Sequence, residues 1–187
     1  GSFPRFLTAS GDTLFFSAND GVSGAELWAC RGDAAWRVKD LVPAYGSGDP
    51  FWITPVGGGV VFLAWDGFSR YELWFSDGSS EGTVSLGAVA PSRLPVEHIV
   101  STGGVAYLVA TDDSRGAELW RTDGSEAGTE RVSDPFPGGG PLELTVVGSL
   151  VFFLLDMAAE LDLSAIYAVY EARDPRGVKA YEPRMMV

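Results

Sequence analysis

The 187-residue chain is 46% hydrophobic and 12% aromatic, which is enough apolar material for the core of one domain but not for two independent cores. Its 25 acidic residues outnumber its 13 basic ones, and no stretch concentrates lysine and arginine as phosphate binding requires. The resulting net charge of -12 argues against nucleic acid and anionic lipid surfaces as partners, and it leaves basic proteins, neutral glycans and soluble cations.

Cysteine content and hydropathy further restrict the classes of protein to which the chain can belong. The single cysteine, Cys30, excludes an internal disulfide and a cysteine-based zinc cluster, so the fold depends on packing and strand pairing. The longest strongly apolar run, Leu150 to Leu155, is far shorter than the roughly 20 residues of a membrane-spanning helix. We therefore expect no membrane insertion, and we expect no metal or cofactor to be needed for folding.

An internal repeat organises the chain. The triplet Glu26-Leu27-Trp28 recurs as Glu72-Leu73-Trp74 and as Glu118-Leu119-Trp120, a spacing of 46 residues each time. Each triplet is preceded by a glycine and an apolar strand, and the same pair of features begins a fourth copy at Gly148. The fourth copy has no Glu-Leu-Trp, and the apolar run Ala165 to Tyr170 occupies the corresponding strand. Terminal repeats are often atypical in this way, because they cap or close an array.

Each unit is predicted to form a meander of four short strands. In chain order, unit 1 begins with a strand at Phe6 to Ala9, and unit 2 contains strands at Trp52 to Val56, Val60 to Ala64, Tyr71 to Phe75 and Thr83 to Gly87. Unit 4 is expected to end with a turn at Asp174 to Gly177 and a strand at Val178 to Tyr181. Glycine and Asp-Gly stretches between the strands tolerate the positive φ angles of tight hairpins. Met157 to Val169 is the nearest approach to a helix and could hold a short turn at most.

Four-stranded units of this length, none able to bury both faces alone, are typical of β-propeller blades. We therefore predict an all-β fold, a single domain over residues 3–187 with four blades of about 46 residues at approximately 3–48, 49–94, 95–140 and 141–187. The alternatives are part of a larger propeller or a β-solenoid array. Connections such as Ala90 to Glu97 favour radial packing, because they can return from a blade's outer edge to the axis. We expect a closed monomer, with a dimer of half-propellers as the alternative.

Two segments carry a more specific resemblance. Ser76 to Thr83 reads SDGSSEGT and Thr122 to Thr129 reads TDGSEAGT, and each follows an intact Glu-Leu-Trp triplet. Together with the triplets they resemble the ELWxxDGT repeat of bacterial surface and secreted proteins, with Ser79 and Ser125 where that family usually has threonine. The resemblance implies a β-propeller-like array at an extracellular or cell-envelope location. It brings no catalytic residue.

The recurring acids have two interpretations. Glu26, Glu72 and Glu118 occupy equivalent positions, so they could form a ring of carboxylates for a cation or a basic partner. The favoured interpretation is that each accepts hydrogen bonds from the backbone of a neighbouring turn. Aspartates that precede or follow the triplets, such as Asp66 and Asp77, are read as turn-forming residues, because no segment has the regular oxygen spacing of a calcium loop.

The tryptophans divide into two groups. The first group, Trp28, Trp74 and Trp120, recurs with the triplet and is predicted to pack between blades, where the buried area of an aromatic ring stabilises the fold most. The other group, Trp36, Trp52 and Trp65, does not recur, so these residues are our candidate binding residues, with core filling as the competing interpretation. His98 is the only histidine and no nucleophile motif accompanies it, so we expect a structural role for it.

These observations favour a binding module rather than an enzyme, in a secreted or envelope protein of a bacterium, with a protein or another ligand as the partner. One alternative is a lectin that uses Trp36, Trp52 or Trp65 as a stacking platform for a glycan. A glycosidase-like hydrolase is the other, and it would require two carboxyl groups about 5 to 10 Å apart in a cleft.

Overall fold

The computed structural model describes residues 1–43, 46–87, 99–112, 116–132, 141–155 and 166–171. Within them the chain forms fifteen β-strands and no helix, arranged as four antiparallel sheets. Sheet 1 contains β1 (Arg5–Ser10), β2 (Thr13–Asn19), β3 (Ala25–Arg31) and β4 (Ala34–Lys39). Sheet 2 contains β5 (Phe51–Val56), β6 (Gly59–Trp65), β7 (Tyr71–Ser76) and β8 (Val84–Gly87). Sheet 3 contains β9 (Ile99–Thr102), β10 (Val105–Asp112), β11 (Gly116–Thr122) and β12 (Glu130–Arg131). Sheet 4 contains β13 (Pro141–Val147), β14 (Leu150–Leu155) and β15 (Ile166–Glu171).

In every sheet the strands pair with their neighbours in sequence, so each repeat is a meander as predicted. The predicted strands of unit 2 agree with β5 to β8 to within one residue at each end. The predicted turn at 174–177 and the last strand at 178–181 lie outside the described residues, and the unit boundaries stay predictions. No helix in the described part of the chain is long and apolar enough to cross a membrane.

The sheets pack face to face in chain order, with β1 against β5, β5 against β9 and β9 against β13. Each of the three junctions encloses a hydrophobic cluster with residues from both units. In the cluster between units 1 and 2, Phe15 and Leu27 of unit 1 are fully buried and pack with Ile53 and Phe62 of unit 2, so each unit depends on its neighbour to bury these side chains. β6 is buried on both of its faces, because units 1 and 3 each cover one.

Two of the three recurring tryptophans lie at these junctions as predicted, whereas Trp28 of unit 1 belongs to none of the three clusters. Trp74 packs against the cluster between units 1 and 2, and Trp120 packs against the cluster between units 2 and 3. The inner strands are also joined by hydroxyl-to-backbone hydrogen bonds that repeat from unit to unit. Thr8 Oγ1 donates to the Ile53 carbonyl at 2.7 Å, and Thr54 Oγ1 donates to the Ile99 carbonyl at 3.3 Å.

The Asp-Gly-Ser segment forms a loop that is closed by its own internal hydrogen bonds. Asp77 Oδ1 accepts hydrogen bonds from both the backbone N–H and the hydroxyl of Ser79, at 2.8 and 2.7 Å. These bonds hold the pKa of Asp77 below its ordinary value. Ser79 Oγ accepts in turn from the Gly82 N–H at 2.9 Å, and Thr83 Oγ1 donates to the Ser79 carbonyl at 2.6 Å. Serine therefore provides the hydroxyl that the loop requires at this position.

The same hydrogen bonds recur in unit 3, where Asp123 Oδ1 accepts from the N–H of Ser125 at 2.9 Å and from its hydroxyl at 2.6 Å. Asp20 and Asp66, in the hairpins before β3 and β7, likewise accept from backbone N–H groups two and three residues further on. The turn-forming interpretation of these aspartates is therefore correct.

Candidate functional site

A cavity of about 430 Å³ opens between units 1 and 2, at the end of the sheets where β1, β3, β5 and β7 begin. Its lining comes from both units. Phe51 and Tyr71 form the aromatic wall of the cavity on the side of unit 2, next to Asp49, and unit 1 contributes the aromatic residues Phe3 and Phe6 together with Arg5 and Asn19. Aromatic rings from both units therefore line the cavity beside one cationic and one acidic group.

The aromatic wall belongs to a connected cluster of rings centred on Phe51. Its ring centroid lies 4.9 Å from that of Trp52 and 5.1 Å from that of Tyr71, both in edge-to-face geometry. Trp65 packs behind Tyr71 at 5.2 Å, and Phe6 of unit 1 lies 6.5 Å from Phe51. Edge-to-face contacts of this kind fix ring orientation, so the wall is preorganised.

A β-bulge in each of three first strands shapes this end of the sheets. The pairing register shifts between Arg5 and Thr8 in β1, and it shifts at the corresponding places in β5 and β13. The residue in each bulge has a positive φ although it is not glycine: 55° at Phe6, 51° at Trp52 and 47° at Glu143. Such conformations cost of order 1–3 kcal/mol each and persist where the surroundings enforce them. Bulges redirect side chains, and here two of them carry aromatic rings into the cluster.

The aromatic wall is specific to unit 2. Phe51, Trp65 and Tyr71 stand where unit 1 has Arg5, Asn19 and Ala25, a displacement of 46 residues at each position. The backbone is nevertheless the same: the Asn19 N–H donates to the Ser2 carbonyl at 2.9 Å, and the Trp65 N–H donates to the Gly48 carbonyl at 2.7 Å. The repeat scaffold therefore does not require aromatic residues at these places.

Two charged groups of opposite sign lie at the cavity, Arg5 and Asp49. Both are exposed, and neither forms an ion pair within the described residues. Asp49 is held by its backbone, because its φ is 41° and its N–H donates to the Ala25 carbonyl at 3.0 Å. A bound molecule can therefore meet a carboxylate on a fixed backbone and an exposed guanidinium at once.

The structure brings together two of the three tryptophans predicted to bind. Trp52 and Trp65 both belong to the ring cluster behind the cavity. Trp36 lies elsewhere: its ring packs against the core cluster between units 1 and 2, and its indole N–H donates to the Gly78 carbonyl at 2.9 Å. The contacts of Trp36 thus match the core-filling interpretation.

Sequence reasoning missed Arg5, Asp49, Phe51 and Tyr71, all of which line the cavity. A signal for two of them was available. Phe51 and Tyr71 replace Arg5 and Ala25 of unit 1, and Glu97 and Ala117 of unit 3, at equivalent repeat positions. Like the non-recurring tryptophans, Phe51 and Tyr71 depart from the repeat, so they too are candidate binding residues. Arg5 and Asp49 have no such signal, because charged residues at strand ends are ordinary.

The recurring glutamates do not share one environment, so the structure gives no support to a ring of carboxylates. Glu26 is fully buried and accepts hydrogen bonds from the backbone N–H groups of Leu41 at 3.0 Å and Gly48 at 3.1 Å. Burial raises its pKa to about 7. Glu118 lies 3.7 Å from a guanidinium nitrogen of Arg131, and Glu72 accepts a hydrogen bond from the Ser85 hydroxyl at 2.8 Å.

The predicted backbone-binding role is thus seen at Glu26. Among the described residues no three histidine, cysteine, aspartate or glutamate side chains are placed to hold a metal ion. His98 lies outside those residues.

Comparison with solved structures identifies the fold class. Over 92% of its length the chain superposes on an acylaminoacyl peptidase from Pyrococcus horikoshii, with a TM-score of 0.59 and 10% identity. It superposes over 93% on the β-propeller domain of the trilobed protease from Pyrococcus furiosus, with a TM-score of 0.57 and 10% identity. A TolB-type protein from Agrobacterium tumefaciens gives a TM-score of 0.54 at 14% identity, over 95% of the chain.

At these identities the likeness shows the fold alone, which is that of β-propeller blades. The chain spans 27%, 52% and 66% of the three proteins' lengths, respectively. No protein-family model and no curated protein matches the sequence.

Proposed function

We propose that this protein is a β-propeller-type binding module whose ligand occupies the cavity between units 1 and 2. The observation that carries the proposal is the aromatic wall of Phe51 and Tyr71, which the repeat does not require and which lines the cavity together with Arg5 and Asp49. Pockets of about 300 to 1,000 Å³ with apolar walls and a few fixed polar groups are typical small-ligand sites, and this cavity of about 430 Å³ falls within that range.

The chemistry of the walls favours a short peptide segment of a protein partner. Phe51 and Tyr71 offer apolar contact for a side chain, while Asp49 and Arg5 offer hydrogen-bonding partners of both signs for backbone and charged groups. The net charge of -12 favours encounter with a basic partner. We therefore propose a ligand that combines an aromatic or aliphatic side chain with a basic residue.

A glycan is the second candidate, because aromatic rings beside aspartate, asparagine and arginine also suit sugar rings and their hydroxyl groups. Hydrolysis of a glycan has less support at this site. Asp49 is the one carboxylate among the residues that line the cavity, whereas glycosidases use a pair.

The resemblance to the ELWxxDGT repeat supports placing this binding module in a secreted or envelope protein of a bacterium. The hydrogen-bonded loop of Asp77 and Ser79, which recurs at Asp123 and Ser125, gives the repeated motif a structural role, because it closes the turn after the second and third triplets. The motif therefore defines the scaffold, and the non-recurring residues define the ligand.

Selection from a displayed library of random peptides tests the proposal. We expect enriched peptides to pair an aromatic with a basic residue, and their affinity to fall at least tenfold, about 1.4 kcal/mol, in Tyr71→Ala and in Asp49→Asn. Isothermal titration of the purified variants measures the change. Val84→Ala is the matched control, because Val84 is 44% exposed on β8, which does not line the cavity.

Peptides that bind Tyr71→Ala and Asp49→Asn as tightly as the unaltered chain would place the binding site elsewhere. A parallel glycan array, with Trp52→Ala as the comparison, distinguishes the second candidate. Glycan binding that is lost in Trp52→Ala, with no enriched peptide, would replace the peptide proposal with a lectin.

A further inference from the structure

A fully buried carboxyl group lies directly behind the cavity. Glu26 follows Ala25 in β3, and Ala25 is one of the residues that line the cavity, whereas Glu26 is not. The exposed fraction of Glu26 is 0%. Burying a carboxyl group is costly unless its oxygens accept hydrogen bonds, so the partners of Glu26 indicate what the residue does.

The two oxygens of Glu26 bind both ends of the connector that joins units 1 and 2. Oε2 accepts a hydrogen bond from the Leu41 N–H at 3.0 Å, and Oε1 accepts one from the Gly48 N–H at 3.1 Å. Leu41 lies just after β4 and Gly48 lies just before β5. We call this pair of hydrogen bonds the Glu26 clamp. The clamp therefore ties β3 of unit 1 to the chain that leads into unit 2.

The end of the connector lies between the two units and is paired to both of them. On the side of unit 1, the Asp49 N–H donates to the Ala25 carbonyl at 3.0 Å, and the Ala25 N–H donates to the Ser47 hydroxyl at 2.9 Å. On the side of unit 2, the Trp65 N–H donates to the Gly48 carbonyl at 2.7 Å. The clamp thus fixes the residue directly before Asp49, which lines the cavity.

The packing around Gly48 leaves no room for a side chain. A Cβ atom at this position would lie 2.8 Å from the Leu41 Cβ and 3.0 Å from Glu26 Oε2, so a larger residue must displace the connector or Glu26. Gly48→Ala therefore disturbs the clamp from the side of the connector and leaves every charge of the chain in place.

We propose that Glu26 is a positioning residue of the ligand site, which holds the connector so that the Asp49 carboxylate stays at the cavity. This inference rests on the proposed function. Asp49 has a φ of 41°, a conformation that costs a non-glycine residue free energy and persists only where the surroundings enforce it. Without the clamp the backbone of Asp49 relaxes, and its carboxylate no longer meets the basic group of a bound peptide.

A double-mutant cycle on Glu26 and Asp49 tests the proposal, with the tightest peptide selected on the unaltered chain as the probe. We expect Glu26→Ala to weaken binding by about tenfold in isothermal titration, but by less than about twofold when Asp49→Asn is already present, because the contribution carried by Asp49 is then absent. Glu26→Gln keeps one accepting oxygen and should lose less affinity than Glu26→Ala. Glu72→Ala, at the equivalent position of unit 2, is the matched control and should bind as tightly as the unaltered chain.

Amide hydrogen exchange followed by NMR measures the clamp without any ligand. In Glu26→Ala and in Gly48→Ala we expect the Asp49 amide to exchange at least about tenfold faster, because local opening of the connector costs less free energy, with a smaller change in the amides of β6. The probe peptide should slow exchange of the Asp49 amide in the unaltered chain, since a ligand that needs the held residue must also stabilise it.

An equal loss of affinity from Glu26→Ala with and without Asp49→Asn would overturn the proposal, because Glu26 would then act by another route. An unchanged exchange rate of the Asp49 amide in both Glu26→Ala and Gly48→Ala would overturn it as well. If Glu26→Ala does not fold, Gly48→Ala takes its place in the cycle.

Failure of the proposed function gives a different result. In that case Asp49→Asn itself leaves the affinity of the peptide unchanged, or no peptide binds the unaltered chain. The exchange rate of the Asp49 amide in the variants then decides whether Glu26 holds this residue in place.

Discussion

Replacing Trp74 by alanine is expected to lower the free energy of unfolding by about 3 to 5 kcal/mol, the usual cost of truncating a large aromatic residue in a core. Trp74 packs against the cluster that joins units 1 and 2 and lies opposite Phe62 in the strand register. The Lys39 ammonium lies 6.0 Å from the Trp74 ring centroid and donates to the Thr83 carbonyl at 2.7 Å, so the ring also supports a contact between units. Its indole N–H is buried and has no hydrogen-bond partner among the described residues, so the expected loss comes from packing and from the Lys39 contact.

Urea denaturation of the variant, followed by circular dichroism, measures this loss. Phe68→Ala is the matched control, because the Phe68 ring is 89% exposed and its removal should change the free energy of unfolding by less than about 0.5 kcal/mol. An unchanged midpoint for Trp74→Ala would show that the recurring tryptophan does not hold the units together.

The second large effect is a pH dependence that arises from Glu26. Burial raises the pKa of its carboxyl from an ordinary value of 4.5 to about 7, although the Leu41 and Gly48 N–H groups favour the charged form. Between those pH values the folded state holds a proton that the unfolded state releases. The stability that this proton contributes is complete below about pH 4.5 and is lost as the pH rises through 7, a change of about 3 kcal/mol.

Urea denaturation at pH 5 and at pH 8 tests this expectation. The large negative net charge also weakens the fold as pH rises, so the informative quantity is the difference between the unaltered chain and Glu26→Gln, which cannot titrate. We expect this difference to move by about 2.5 kcal/mol in favour of the variant from pH 5 to pH 8. Glu72→Gln, at the equivalent half-exposed position of unit 2, should keep the dependence of the unaltered chain. A difference that does not change with pH would remove Glu26 as its source.

The sequence determined the repeat, the strands and the turns of this protein, because each of these depends on residues that are close together in the chain. The turn of the Asp77 loop closes through Ser79, Gly82 and Thr83 by hydrogen bonds between residues at most four apart. Trp36 and Lys39 of unit 1 also donate to carbonyls of this loop, but they do not form the turn itself. Alternation of apolar residues and the glycines of the hairpins placed the strands of unit 2 to within one residue. The burial of Trp74 followed from its recurrence, because a strand that repeats presents the same face to each neighbour.

The tertiary structure alone decided the site, because its parts come from different units. The cavity is lined by both Arg5 of unit 1 and Phe51 of unit 2. A bulge gives Trp52 a positive φ, which nothing about a tryptophan in the sequence would predict. The environments of Glu26, Glu72 and Glu118 differ although their sequence positions are equivalent, since backbone and side chains outside the triplet supply their partners. A local pattern can specify a blade, but burial, pKa and cavity shape depend on how the blades pack against one another.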